Sequence, residues 1–245
     1  MPLSRETRFW IMVCQPRRCR TMKATSIPSQ DVMMRLREET RHQQRNAEAI
    51  PFSRALILRA LPCWRYVGQL RALYTIHRAL ESALAASAHP TVTKVWHDGL
   101  CKRALLADDL EFFAPFRHAE DIRAARAAHR FAQRIGTVAR AAPVALLGYL
   151  YVLEGATLGT AVVHRHVAEA YGLEQGSGLA YYRAYGNDVR SRWHDFKARM
   201  NAAVEKDREQ DLVVQGAREG YRYISAVLGA LSADLPPLPV APAMA

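Results

Sequence analysis

Residues 148–166 read GYLYVLEGATLGTAVVHRH, an apolar stretch with a helical period that contains two glycines one turn apart, Gly155 and Gly159. A glycine inside a helix costs about 1 kcal/mol relative to alanine, and residues at i and i+4 lie on the same face of the helix. That face therefore presents backbone without a Cβ atom, and a flat group can approach it closely. Close packing of a second helix is the alternative explanation, and the spacing alone leaves both open.

The rest of the 245-residue chain predicts a single all-α globular domain. Half of the residues are hydrophobic and 23% are charged, which is the composition of an ordinary soluble protein. No apolar run approaches the roughly 20 residues that span a membrane, and no internal repeat is visible. Helices are expected at about 33–48, 52–60, 64–87, 92–113, 120–139, 143–171, 187–204 and 207–231.

Both ends of the chain depart from this helical pattern. Residues 1–32 mix arginines with one short apolar run, FWIMVC at 9–14, and Met33 and Met34 directly precede the first helical pattern. A disordered extension or a misassigned start codon is therefore expected, with a targeting segment as the weaker alternative. The proline-rich residues 232–245 are expected to be a disordered tail, which leaves 33–231 as the domain.

The net charge of +11 restricts the possible partners only loosely. Residues 1–30 carry six Lys and Arg against Glu6 alone, so +5 of the charge lies there. A basic surface can attract nucleic acid, an anionic membrane or an acidic protein. The chain has no basic run with interleaved aromatics and no zinc-finger spacing, so nucleic-acid binding is not favoured. The four cysteines have no metal-site spacing and are expected to be reduced thiols of a cytoplasmic protein.

Five segments, in this order along the chain, resemble the biliverdin-producing haem (heme) oxygenases, especially the bacterial type. They are LREETRHQQRNAE (36–48), YVGQLRALYTIHRALE (66–81), KRALLADDLEFF (102–113), YVLEGATLGTAVVHRH (151–166) and YGNDVRSRWHDFKARMN (185–201). The resemblance covers about 34–231. It implies a single-domain, all-α haem oxygenase-like helical bundle that holds haem, both cofactor and substrate, between the first helix and a kinked distal helix. It also implies ring opening at one meso carbon with O2 and electrons, which releases biliverdin, Fe2+ and CO.

The resemblance assigns Gly155 and Gly159 to the catalytic site through their backbone. Missing side chains and a bend in the distal helix bring its backbone close to the ring and shield all but one ring edge. The expected contribution to catalysis is positioning rather than acid–base chemistry.

The first helix of the family carries the pattern L-x-x-x-T-x-x-x-H-x-x-x-E, and this chain departs from it at the iron ligand. Leu36, Thr40 and Glu48 match, but Gln44 stands where the histidine belongs. Thr40, Gln44 and Glu48 are predicted to share one helix face, with His42 on the opposite side, and the resemblance makes all three candidates for haem binding. A glutamine amide is a weak ligand compared with neutral imidazole, so Gln44 is a weak candidate for the metal position.

Cations are expected where the resemblance places the haem propionates. Arg37, on the predicted face of Gln44, and Lys197, with Arg199 nearby, match these positions. A solvated surface is the alternative for each of these side chains.

Other histidines and acids offer no better iron site. His164 and His166 are expected at the surface or between helices, and His77 is expected to be a packed or hydrogen-bonded helix residue. Glu81, Asp108, Asp109 and Glu154 do not have the spacing of a di-iron helical site.

Three functions stay open at this point. The first is an active haem oxygenase, with an acidic ferredoxin or flavoprotein as its reductant. The second is a catalytically impaired protein that binds haem or another tetrapyrrole as a sensor or carrier. The third is a scaffold without haem, because a fold alone does not decide function.

Overall fold

The computed structural model describes residues 31–115, 121–173 and 176–235, and these ranges contain helices and no strands. The α-helices are α1 (Val32–Glu39), α2 (Arg41–Glu48), α3 (Pro51–Ile57), α4 (Cys63–Ala85), α5 (Pro90–Val95), α6 (Arg103–Phe113), α7 (Ile122–Ala141), α8 (Leu146–Ala156), α9 (Thr160–Tyr171), α10 (Val189–Ala203) and α11 (Asp207–Ser232). Short 3-10 turns cover Asp98–Leu100, Pro143–Ala145, Thr157–Gly159 and Gly186–Asp188.

Helix α8 is the centre of the bundle. Every residue from Leu146 to Glu154 is buried, as expected for a helix that is apolar on all sides. It crosses α11 at very short range: a Cβ added at Gly148 would lie 2.1 Å from the Val213 carbonyl oxygen, and one added at Gly216 would lie 2.2 Å from the Ala145 carbonyl oxygen. Glycine is therefore required at this crossing by the packing of backbone on backbone.

The other helices surround this pair. Helix α4 packs along α7, and α11 packs across α7 and α8. Helices α1, α2 and α3 lie on α11, and α3 also contacts α9. Helix α10 packs against α1 and against the 157–159 turn, so it is a neighbour of both the first helix and the glycine-bearing helix.

The glycine-bearing helix is bent, as the sequence suggested. Its first half, Pro143–Gly159, and its second half, Val162–Tyr171, meet at an angle of 66°. Within the described ranges no single helix is long and apolar enough to cross a membrane, and only this bent pair has the required length and composition when its halves are taken together.

Two further predicted helices are interrupted. The first is broken at Thr40, whose backbone leaves the helical region (φ −112°, ψ 3°) and whose hydroxyl donates to the Leu36 carbonyl oxygen at 2.6 Å. The prediction of a single helix at 92–113 is wrong, because α5, a 3-10 turn and α6 cover this range. The side chain of His97 accepts a hydrogen bond from the backbone N–H of Gly99 at 3.2 Å, and this local bond stabilises a turn in place of a helix.

The ends of the described chain are fixed by side chains. Asp31 caps α1 by accepting from the backbone N–H of Met34 at 2.7 Å, and most of the predicted extension, residues 1–30, lies outside the described residues. At the other end, within the predicted tail, the Ser232 hydroxyl accepts from the backbone N–H of Phe52 at 3.0 Å and Asp234 pairs with Arg123 at 2.8 Å. Residues 236–245 lie outside the described ranges.

Candidate functional site

The segment from Gly155 to Gly159, the glycine segment, has room beside it. Gly155 is half-exposed, and the nearest atom that an added Cβ would meet is Trp193 Cη2 at 3.7 Å, an ordinary contact distance. Ala156 is exposed, while Gly159 is buried in the following turn. Unlike Gly148, Gly155 is not demanded by the packing of another helix.

The polar face of α2 carries a hydrogen-bonded pair. The Gln44 side-chain amide donates to Glu48 Oε1 at 2.9 Å, and both residues are half-buried. Burial raises the pKa of Glu48 above its ordinary value of 4.5, although the hydrogen bond from Gln44 and the charge of Arg45 act in the opposite direction. The bond fixes the orientation of the Gln44 amide relative to α2.

The remaining residues of this first helix pair differ in exposure. Arg37 is exposed at the end of α1. Thr40 is fully buried, and the break at this residue interrupts the single face on which the sequence placed it together with Arg37, Gln44 and Glu48. His42 is exposed and bonds with the Asn46 amide at 3.2 Å.

Lys197 and Arg199, the two α10 cations predicted to meet the propionates, lie on different faces of that helix. Trp193 contacts the ring of Tyr151, with centroids 5.8 Å apart, and lies beside Gly155. Lys197 is half-buried and lies one turn after Trp193, so it shares this face. Lys197 is therefore on the side of α10 that is directed towards the glycine segment.

Arg199 lines a separate cavity of about 310 Å³ with His97, Arg192 and Phe196. Burial, followed by the positive charges of Arg199 and Arg192, lowers the pKa of His97 below its ordinary value of 6.5. Helical spacing thus places Lys197 on the face of Trp193, while Arg199 lines this cavity.

A buried ionic cluster, which no motif or spacing predicted, lies directly before Gly155. Lys102 Nζ donates to Glu154 Oε1 at 2.7 Å, to the Tyr185 hydroxyl at 2.7 Å and to the Leu100 carbonyl oxygen at 3.1 Å. The Tyr185 hydroxyl in turn donates to Glu154 Oε2 at 2.9 Å. Lys102 and Glu154 are 1% and 3% exposed, so this is a fully buried ion pair.

A second buried carboxylate, Glu81, stabilises the start of α6. Its Oε1 atom accepts from His77 Nδ1 at 3.1 Å and from the backbone N–H groups of Lys102 at 2.7 Å and Arg103 at 3.1 Å. Burial acts to raise the pKa of Glu81, but these hydrogen bonds outweigh it and the pKa lies below the ordinary 4.5. The predicted role of His77 as a hydrogen-bonded helix residue is confirmed.

These features define a helical bundle in which a bent, glycine-bearing helix and a short polar helix are held by shared neighbours. The Heme oxygenase family model matches residues 30–230, so the chain belongs to the haem oxygenase family. This match confirms the resemblance seen in the five segments and the predicted all-α bundle.

Known proteins of the family are distant in sequence and similar in fold. Heme oxygenase 1 of Synechocystis is 21% identical over 209 residues, which cover 84% of this chain and 87% of that protein. Heme oxygenase 1 of Gallus gallus is 24% identical over 208 residues, covering 83% and 70%. The structure of heme oxygenase-1 from Synechocystis in complex with heme gives a TM-score of 0.75 at 20% identity over 84% of this chain and 94% of that one. Heme oxygenase from Leptospira interrogans gives 0.72 at 19% identity over 82% and 99%.

Proposed function

We propose that the protein binds haem in a slot bounded by α2 and the glycine segment, and cleaves it with O2 and electrons to biliverdin, Fe2+ and CO. Haem is the substrate and also supplies the iron centre at which oxygen reacts. The structure of the Synechocystis relative in complex with heme supports this choice of ligand.

The observation that best supports this proposal is the free space beside Gly155. A Cβ would fit there at an ordinary contact distance from Trp193, so the packing of the protein does not account for a residue that weakens its helix by about 1 kcal/mol. A flat macrocycle against the bare backbone does account for it. The 66° bend after this point lets the second half of the helix turn away from the slot.

The residues around the slot have separate roles in this proposal. Lys197 and Arg37 neutralise the propionates, Lys197 from the half-buried face of α10 and Arg37 from the exposed end of α1. Thr40, which is fully buried, supports the break between α1 and α2 rather than touching the ligand. The half-exposed backbone at Gly155 and the ring of Trp193 form a wall that leaves one ring edge accessible. Gly159 belongs to the buried turn that follows.

Gln44 favours a second candidate, a haem- or tetrapyrrole-binding protein without efficient ring opening. Its amide nitrogen donates to Glu48, which leaves the amide oxygen, a weak donor to iron, as the atom available to a ligand. The same Glu48 would orient an imidazole at position 44, because a carboxylate that accepts from a ring N–H fixes the ring.

Mixing the purified protein with hemin, and then adding a reductant under air, separates these functions. A Soret band that gives way to a biliverdin spectrum supports the proposal. A stable complex that does not bleach supports the haem-binding alternative. No spectral change on mixing contradicts both.

An electron donor is required, and the net charge of +11 favours an acidic ferredoxin or flavoprotein in the cytoplasm. The rate of reduction is then expected to fall as the salt concentration rises, since screening weakens the attraction of opposite charges. A rate that is independent of salt would contradict this choice of donor.

A further inference from the structure

We propose that the buried cluster of Lys102, Glu154 and Tyr185 positions the glycine segment and thereby sets which edge of the macrocycle the slot leaves accessible. The effect of the cluster on the position of α8 is argued from the contacts of its three side chains alone. Its effect on which ring edge is accessible rests on the proposed function. None of the three side chains is assigned a role in binding or in the chemistry.

The hydrogen bonds of the cluster hold the Glu154 carboxylate at both of its oxygens. Each carboxylate oxygen of Glu154 has its own donor, Lys102 Nζ for Oε1 and the Tyr185 hydroxyl for Oε2. Lys102 Nζ also lies 4.2 Å from the centroid of the Tyr185 ring. Burial, and then the charge of Glu154 and its hydrogen bond, raise the pKa of Tyr185 far above its ordinary value, so the hydroxyl keeps the proton that it donates.

The energetics favour positioning over stability as the purpose of this ion pair. A lysine and a glutamate lose their hydration when they are buried, and an apolar pair of similar size is often at least as stable. Burying both charges is favourable only with all their partners in place, so the fully bonded arrangement excludes neighbouring positions of α8.

The cluster joins the segment that carries Gly155 to the segment that carries Trp193, the two sides of the proposed wall of the slot. Glu154 directly precedes Gly155, and Tyr185 lies directly before the 3-10 turn that starts α10, the helix of Trp193 and Lys197. Lys102 lies at the start of α6, where its backbone N–H is held by Glu81. Any shift of Glu154 relative to Tyr185 therefore moves Gly155 relative to Trp193.

Lys102→Met, Tyr185→Phe and the double variant Lys102→Met/Glu154→Gln test this role. The double variant removes both charges and keeps a side chain that can accept from Tyr185, so it is the variant to use if Lys102→Met alone does not fold. The matched control is Arg65→Met, because Arg65 and Asp121 form another buried ion pair, 4% and 6% exposed, that ties α4 to the end of α11 through the carbonyl oxygen of Ala230.

The first measurement is amide hydrogen exchange of the protein without haem. Loss of the cluster is expected to accelerate exchange at residues 151–160 and 186–193 by about tenfold or more, because a broken buried pair favours local opening. Tyr185→Phe is expected to have a smaller effect in the same place, and Arg65→Met to act at α4 and the end of α11 instead. Unchanged exchange at 151–160, or the same pattern in Arg65→Met, would overturn the proposal.

The second measurement is the ratio of biliverdin isomers formed from hemin. Wild type and Arg65→Met are expected to give one dominant isomer, and the cluster variants a mixture. An unchanged ratio in variants that still turn over overturns the role in selecting the ring edge. If wild type forms no biliverdin, the proposed function fails, and the exchange experiment still decides whether the cluster positions the helix.

Discussion

Gly148 and Gly155 lie on the same helix, seven residues apart, and therefore on nearly the same face about two turns from each other. At Gly148 an added Cβ would lie 2.4 Å from the Ala217 backbone nitrogen, whereas at Gly155 the nearest atom would be 3.7 Å away. The first glycine permits contact between two helices, and the second leaves space that no described residue fills. Spacing alone cannot separate these roles, because they differ only in what lies opposite each residue.

The largest effect is expected at the helix crossing. Gly148→Ala and Gly216→Ala each place a methyl group into the backbone of the other segment, which cannot move as a side chain could. Each substitution is expected to destabilise the protein by about 3 kcal/mol, measured by chemical denaturation. A loss below about 1 kcal/mol in either variant would show that the crossing is looser than the structure indicates.

Gly155 is expected to show the opposite behaviour. Gly155→Ala should leave stability unchanged or raise it by up to about 1 kcal/mol, since alanine favours the helix and its methyl group has room. Gly155→Leu fills the slot and is expected to weaken hemin binding by about 10- to 100-fold in a Soret titration.

Gly229→Ala is the matched control for this pair, because a Cβ at Gly229 would meet nothing within 4 Å. It should give the same gain in helix stability with no change in hemin affinity. Equal binding of hemin by wild type and Gly155→Leu would remove the distinction between the two glycines.

Gln44→His tests the proposed role of α2 as one side of the haem slot. Glu48 accepts from position 44 already, so an imidazole there has a partner that orients it. We expect a sharper Soret band and an increase in turnover of about tenfold or more, measured by absorbance under single-turnover conditions. His42→Ala should change neither; if it abolishes binding while Gln44→His has no effect, the assigned register of α2 is wrong.

Lys197 and Arg199 provide a smaller test, because they point from α10 to different places. Lys197→Gln is expected to weaken hemin binding by up to about fivefold, the usual magnitude for one partly exposed ion pair. Arg199→Gln should leave the affinity unchanged. Equal losses in the two variants would contradict the separation of the two faces of α10.

The smallest effect concerns His97 in the cavity that Arg199 lines. Burial and the charges of Arg199 and Arg192 lower the pKa of His97 below 6.5. An NMR titration of His97 should therefore give a pKa below 6.5, and Arg199→Gln should raise that pKa. Because the unfolded chain binds the proton more readily, His97 makes the folded state less stable as the pH falls through 6.5. Arg126→Gln, an exposed change on α7, serves as the control and should not move this pKa.

The sequence predicted the helices that periodicity defines and missed the breaks that single side chains cause. The long helix at 63–85 and the last helix were predicted to within a few residues, because apolar residues recur along one face of each. The break at Thr40 depends on one hydroxyl that bonds to the Leu36 carbonyl oxygen. The turn at 97–100 depends on the His97 side chain, although Asp98-Gly99 was a turn signal in the sequence.

The site residues that belong to a sequence motif were predictable. The residues that meet only through the fold, from distant parts of the chain, were not. The glycines and Gln44 belong to recognisable patterns, but their roles towards haem remain predictions. Lys102 and Glu154 are 52 positions apart, and a lysine in a polar segment is normally assigned to the surface. Only the folded chain brings them together, which is why the cluster beside Gly155 was invisible in the sequence.

A crystal structure of the protein grown with hemin is the most direct test of the account. The macrocycle is expected to lie between α2 and the glycine segment, with the iron opposite Gln44 and one face of the ring against the backbone at Gly155. A ring bound elsewhere, such as in the cavity of His97 and Arg199, or a glycine segment that stays empty at saturating hemin, would contradict it.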